Sequence, residues 1–376
     1  MDYLSLLNQF DTGSWLRAAF AFLLCALVLP MGIPVARRIG LVDHPGGRKD
    51  HDGAIPVIGG LVIFLALALS FVGFENSLSL QSITFVACAG LMVLVGQLDD
   101  LYDLHWSWRI AAQTLAALAM IFIAGLEADN LQDVFGFAGA NVGLLAVPFT
   151  VFIVVGVINA LNMADGVDGL AGTLSLVSLG LFTCFALYSG DAPQAERLLA
   201  LCAALLGFLL WNQRLPWQPR ARVFLGNGGS MLMGFIIAWT SVRLTQNPAH
   251  PVSPVLGPWT LALPLIDCVT LMFRRWRQGK SPFAADRHHM HHMLLDAGLR
   301  PTAVVLLLGG LSLLLGLGAA LAMKAGVHRP LLVVLFLALL AGWYAFSRDY
   351  GRAVARLRRF AGRRAPESEA PASEPR

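Results

Sequence analysis

Four polar side chains spaced three apart, Asn159, Asn162, Asp165 and Asp168, lie in NALNMADGVDGLAG (residues 159–172), where one apolar run ends and the next begins. In a straight α-helix each three-residue step drifts roughly 60° around the axis, so the four spread over about half the circumference. Gly166 and Gly169 permit a tightened or broken helix end that turns them toward one point instead. Carboxylates and amides beside an apolar segment are costly to bury unless a cation or a hydrogen-bonding group lies between them. A cap followed by a Gly turn accounts for one Asn–Asp pair; four such groups at membrane depth point to a site.

Further clusters share its character. Asp99 and Asp100, in LDDLYD at the end of another apolar run, are adjacent carboxylates that repel one another unless a cation separates them. That suits oxygen coordination of Mg²⁺ or general-base work, with a solvated helix terminus as the alternative. VFLGNGGS (223–230) has small residues that let a ligand approach the backbone, and a helix N-terminus after it favours an anion. Phe224 there either stacks on a base or anchors the interface. Four of the nine histidines, His288, His289, His291 and His292, follow Arg287 directly. No Cys is near, and a neighbouring Arg opposes collecting another cation, so donors to a pyrophosphate fit better than zinc ligands. In GGRKDHDG (46–53), Lys49 and His51 beside flexible backbone suit a phosphate, although topology alone also recruits basic residues to such loops. Basic loops for phosphate and carboxylates for a hard cation together indicate phosphoryl transfer, which asks the protein to position an in-line attack and neutralise charge.

The elements that must hold these groups are membrane helices. The 376 residues are 57% hydrophobic and 13% charged, against roughly 25% charge in soluble domains. An all-α polytopic membrane protein is expected, with about 11 transmembrane helices near 15–36, 57–75, 82–98, 109–126, 144–163, 169–189, 197–213, 229–246, 256–273, 301–323 and 330–347. Loops 37–56, 99–108, 214–228 and 274–300, with Arg109 and the tail after 347, hold 22 of the 27 Lys and Arg. The positive-inside rule makes these cytoplasmic, with the N-terminus periplasmic and the C-terminus cytoplasmic. Every polar cluster above falls on this basic side. The first apolar run is read as a span and not as a removable signal, and the five cysteines, which lack CxxC spacing, as core residues. Segment 127–143 suggests a small hairpin. Residues 1–347 thus form one transmembrane catalytic domain. The tail, 348–376, begins as a basic amphipathic helix suited to an anionic leaflet and ends in a disordered PESEAPASEPR stretch.

With these residues in hand, the chain resembles the polyprenyl-phosphate N-acetylhexosamine-1-phosphate transferases of glycosyltransferase family 4. The matching stretches are RKDHDGAIPVIGG, GQLDDLYDL, NALNMADGVDGLAG, VFLGNGGS and SPFAADRHHMHHML, in the family's order and covering about residues 34–300. The DR-x-H-x-H-H form of the histidine loop is similar to the branch that uses UDP-GlcNAc-like donors. The resemblance implies transfer of a sugar-1-phosphate from a UDP-N-acetylhexosamine to undecaprenyl phosphate in the bacterial inner membrane, on its cytoplasmic face. UMP is released, and the cofactor is Mg²⁺ with Mn²⁺ as the alternative. It further implies that Asp99 takes the proton from the lipid phosphate and that Asp100 supports it or helps place the metal. Asn162 is then near the metal, Asp165 and Asp168 order the donor, and Asn159 lies on the substrate side. Phe224 stacks on uracil; Arg287, His289, His291 and His292 hold the pyrophosphate and sugar; Lys49 and His51 face the lipid phosphate. Asn227 departs from the pattern, because the family has Asp there as a metal ligand. An amide oxygen still coordinates Mg²⁺, but without charge. Beyond the substrates and the bilayer a homodimer is the other partner considered, and no nucleic acid is expected. The competing readings are a different donor (a UDP-6-deoxy-N-acetylhexosamine or UDP-MurNAc-pentapeptide) and, from another class, a transporter. A transporter would place its carboxylates near the midplane between internal repeats, and no repeat is evident here.

Overall fold

The computed structural model describes residues 9–43, 53–74, 79–250, 252–282 and 287–360. The expected windows are all occupied by helices: α1 (Thr12–Arg38), α2 (Gly59–Phe74), α3 (Leu80–Tyr102), α4 (Trp106–Phe122), α5 (Ala146–Ala164), α6 (Leu170–Ser189), α7 (Ala192–Asn212) and α8 (Gly226–Thr245). The ninth window holds α9 (Leu256–Thr260) and α10 (Ala262–Arg277), broken at Leu261, and the last two hold α12 (Pro301–Lys324) and α13 (Arg329–Ser347). Two short helices complete the set, α11 (Met290–Asp296) in the histidine segment and α14 (Tyr350–Phe360) in the tail. Among the described residues, seven helices are long and apolar enough to cross a membrane: α1, α3, α5 with its preceding turn, α6, α7, α12 and α13. Helices α2, α4 and α10 have 16 or 17 residues, short of the roughly 20 that a bilayer core demands. The protein is an all-α polytopic membrane protein in architecture. Among the described residues the strands are two short antiparallel pairs, β1 (Val42–Asp43) with β2 (Ile55–Pro56) and β3 (Asn130–Gln132) with β4 (Ala140–Asn141). The second pair is the hairpin expected in segment 127–143.

Helix α8 is the axis of the bundle. It packs against α2, α3, α5 and α6, and residues 228–240 are buried without interruption. A helix surrounded by other helices needs no polar face and no lipid-facing stripe, which is why its first turn tolerates Gly-Asn-Gly-Gly-Ser. At the opposite extreme, α13 buries only Leu332 and Ser347, with Val333, Phe336 and Trp343 packed part-buried against the core.

Glycines set how closely the elements around α8 approach. A Cβ at Gly60 would lie 2.3 Å from the Cα and N of Gly229, and one at Gly96 would lie 2.4 Å from the Cα and N of Gly228. These are backbone contacts, so no flexible side chain can yield. Gly96→Ala is therefore expected to destabilise the protein by about 1–3 kcal/mol through overpacking, read as a lowered thermal midpoint in detergent. An unchanged midpoint would mean that α3 and α8 separate freely.

Candidate active site

The first turn of α8 carries backbone N–H groups without intrahelical partners, and Leu225 before it offers no side-chain cap. The cap comes from α3. Asp100 accepts from the Asn227 N–H through Oδ2 at 2.9 Å and Oδ1 at 3.2 Å, an anion at the positive end of a helix. Gly226 makes this approach feasible: its φ is +75°, and a Cβ there would lie 2.7 Å from Asp100 Oδ2. The anion expected at this glycine-rich turn is thus one of the protein's own carboxylates. The preceding residues run beside β2, with the Phe224 N–H donating to Pro56 O at 2.8 Å and the Gly59 N–H to Phe224 O at 3.0 Å. The ring of Phe224 is half-buried against the core.

Asp99 points elsewhere on α3. Its side chain is 4% exposed and accepts from Arg109 Nη1, on α4, at 3.1 Å. Helix α5 delivers the next groups. Asn162 Nδ2 donates to Asn227 Oδ1 at 2.9 Å and to Ser230 Oγ at 2.8 Å, tying the end of α5 to the start of α8. The helix then breaks as its glycines allow, with tight bonds from Asp165 N to Asn162 O and from Gly166 N to Ala164 O, and Gly169 at φ +81°. Asp165 follows this break and is exposed to solvent. The protein packed around it, then the nearby Asp100 and Asp168 carboxylates, push its carboxyl up to about 7. Asp168 turns away from that point: its Oδ2 accepts from Arg214 Nε at 2.7 Å and from the Ala221 N–H at 3.2 Å, fastening the 214–225 loop. Asn159, one turn earlier, donates to Gln113 Oε1 at 2.7 Å and to Val155 O at 2.8 Å, so it joins α5 to α4.

The histidine segment packs onto the same turn. His291 is 3% exposed, and a Cβ on Gly166 would lie 2.2 Å from its Nε2. The rings of His289 and His291 stack at 5.3 Å and 13°, and His292 lies 4.3 Å from His291. Burial, then the His292 and His289 rings, hold His291 well below its ordinary pKa, and burial followed by His289 and Arg287 lowers His292. Arg287 is exposed beside them. Ala353, Val354 and Leu357 of α14 pack on Met293 and Ala297, while Tyr350 Oη donates to Asp296. Lys49 and His51 lie outside the described residues.

The structure therefore draws Asp100, Asn162, Asp165, Asn227 and His291 to the meeting point of α3, α5, α8 and α11. It sets Asp99 beside Arg109, and Asp168 and Asn159 into packing contacts. Three partners did not emerge from the sequence as site residues: Arg109, Arg214 and Asp267, whose carboxylate accepts from His289 Nδ1 at 3.0 Å. A lone charge in the apolar run LPLIDCVTLM was the available signal for Asp267; the two arginines looked like ordinary topological charge. Among the described residues no three His, Cys, Asp or Glu converge as a metal cluster. A hard cation asks for less: Mg²⁺ is commonly held by one or two carboxylates plus substrate phosphates. The raised Asp165 carboxyl near Asp100, with the amide groups of Asn162 and Asn227 at the same helix ends, has the chemistry of such a place.

Residues 82–245 match the family model for glycosyl transferase family 4. Relatives described as undecaprenyl-phosphate alpha-N-acetylglucosaminyl 1-phosphate transferase span most of the chain. That of Yersinia pestis is 37% identical over 279 residues, 74% of this chain and 76% of its own. That of Escherichia coli O157:H7 is 35% identical over 331 residues, 88% and 90%. That of Haemophilus influenzae is 37% identical over 287 residues, 76% and 81%. With its acidic, Gly-rich and histidine segments gathered at one end of the bundle and with identities of this extent, the chain belongs to glycosyl transferase family 4.

Proposed function

We propose that the protein transfers GlcNAc-1-phosphate from UDP-GlcNAc to undecaprenyl phosphate, forming a lipid-linked sugar pyrophosphate and releasing UMP. The observation that carries this reading is the seating of His291 on Gly166, which brings phosphate-binding imidazoles against the carboxylate turn. An oxygen of the lipid phosphate attacks the sugar-bearing phosphorus of the donor. The bond from that phosphorus to the oxygen bridging toward uridine breaks, and the electron pair leaves with UMP. Asp99 takes the proton from the lipid phosphate, with Arg109 keeping its carboxylate in place. His289, His291, His292 and Arg287 hold the pyrophosphate and sugar, Phe224 lies against the uracil, and Lys49 and His51 face the lipid phosphate. Asp165 and Asp100, with the amide oxygens of Asn162 and Asn227, would hold Mg²⁺ or Mn²⁺. The chemistry such an ion supplies is neutralisation of charge on the phosphate oxygens. Asp168 orders the floor of the donor site through Arg214. The reaction is a direct attack, since no nucleophile here has an evident paired base.

The eleven helices would cross the inner membrane, with the N-terminus periplasmic and the site cytoplasmic, as the charge distribution of the loops supports. The test is radiolabel transfer from UDP-GlcNAc to undecaprenyl phosphate by purified protein, with and without Mg²⁺. Lipid product with stoichiometric UMP is expected; no product from any UDP-N-acetylhexosamine in folded protein would overturn the reading.

Asn227 tunes the metal requirement. Asn227→Asp keeps the acceptor for Asn162 Nδ2 and adds a charge beside Asp100 and Asp165. The Mg²⁺ concentration for half-maximal rate is expected to fall roughly tenfold, as an added charged ligand tightens a hard-cation site. An unchanged Mg²⁺ titration would remove Asn227 from the metal's surroundings.

A further inference from the structure

We propose that Asp267 is a positioning residue for the donor's pyrophosphate, holding His289 in one ring orientation and one tautomer from within α10. The inference rests on the donor reading above. Asp267 is 7% exposed, as is His289, and both of its oxygens are engaged. Oδ2 meets His289 Nδ1 at 3.0 Å, and Oδ1 accepts from the Met290 N–H at 3.0 Å. One carboxylate thus grips both the ring of His289 and the backbone where α11 begins.

The consequence follows from donor and acceptor chemistry. An ionised carboxylate only accepts, so the proton between Asp267 and His289 resides on Nδ1. Nε2 is then left for a ligand, and an Nε2–H there would be a charge-assisted donor to a phosphate oxygen. The neighbouring rings differ. His291 Nε2 is buried without a hydrogen-bond partner, and its ring is kept neutral by burial and by the imidazoles beside it. The two rings are thus held differently: Asp267 fixes His289 through Nδ1, whereas His291 is seated by packing against the Gly166 turn. Because the His289 and His291 rings lie parallel at 5.3 Å, a rotation of His289 would also disturb the contact with Gly166.

Asp267→Asn tests this without changing shape. The amide oxygen still accepts from Met290, but the amide NH₂ now faces His289 Nδ1 and asks for the opposite tautomer. In full-length protein, Asp267→Asn is expected to raise the KM for UDP-GlcNAc roughly tenfold or more, with a smaller change in kcat, the loss of one charge-assisted hydrogen bond. In a double-mutant cycle, Asp267→Asn on top of His289→Gln should cost nothing further, because Asp267 acts through His289. Independent, additive penalties would overturn the proposal. ¹⁵N spectra of histidine-labelled wild-type protein, with the His289 signal identified by its loss in His289→Gln, give a second readout that a merely structural carboxylate would not move. A proton on Nδ1 is expected, and a His289 protonated only at Nε2 would refute the pairing whether or not the Asp267 variant folds. This spectrum decides the Asp267–His289 pair even in a protein that transfers no sugar phosphate, which separates failure of this inference from failure of the donor reading.

Discussion

Asp99→Asn should lower kcat by roughly 10²–10⁴-fold, the usual worth of a positioned general base, with little change in the KM for UDP-GlcNAc. The substitution is isosteric, and the position is well defined. The side chain is 4% exposed, and Arg109 Nη1 lies 3.1 Å from Oδ2. An amide oxygen still accepts from Arg109, so the α3–α4 contact persists, but the group no longer takes a proton. An effect confined to kcat marks an interaction made in the transition state, whereas a rise in KM alone would mark ground-state binding. Asp103→Asn is the control: Asp103 is exposed just beyond α3, in the left-handed region at φ 49°, and its loss should leave the rate nearly unchanged. If Asp99→Asn retained a rate within a few-fold of wild type, the proton would have to go elsewhere.

The second large effect is expected at Asp165. Among the described residues, Asp165 has no cation or backbone cap bound to its carboxylate in the way that Asp99 has Arg109, Asp100 has the α8 turn and Asp168 has Arg214. Its carboxyl is pushed up to about 7 by the surrounding protein and by Asp100 and Asp168, so a bound divalent cation relieves it more than its neighbours. Asp165→Asn should therefore cut the rate at saturating Mg²⁺ by about 10²-fold, the scale of several kcal/mol that metal-borne charge stabilisation supplies. The Mg²⁺ half-saturation should rise in the same variant, and the protein without metal should be no less stable than wild type, because a repelling charge has gone. Asp168→Asn should behave differently. It loosens Arg214 and the 214–225 loop, so its main readout is a lowered thermal midpoint with the Mg²⁺ titration unmoved. Identical Mg²⁺ behaviour in the two variants would show that the carboxylates act as one unit.

The sequence by itself determined the membrane class, the windows in which the long helices lie and the chemical character shared by the polar clusters. These are local properties. A run of about 20 apolar residues must find lipid or protein and must close its own backbone hydrogen bonds, wherever the rest of the chain lies. The break after α5 was equally legible, because Gly166 and Gly169 sit where a continuing helix would carry two carboxylates around its side. What only the tertiary structure decided is the partner of each charge. Asp100 caps a helix 127 residues away, Asn159 is engaged by Gln113, Asp168 by Arg214, and Asp267 grips His289. The tail helix likewise packs Ala353 and Val354 on Met293 and Ala297 of the histidine helix. A residue's type states which hydrogen bonds and charges it must satisfy. Which group satisfies them depends on which helix ends the packing around α8 brings within about 3 Å, and glycine contacts such as Gly60 on Gly229 and Gly96 on Gly228 set that spacing.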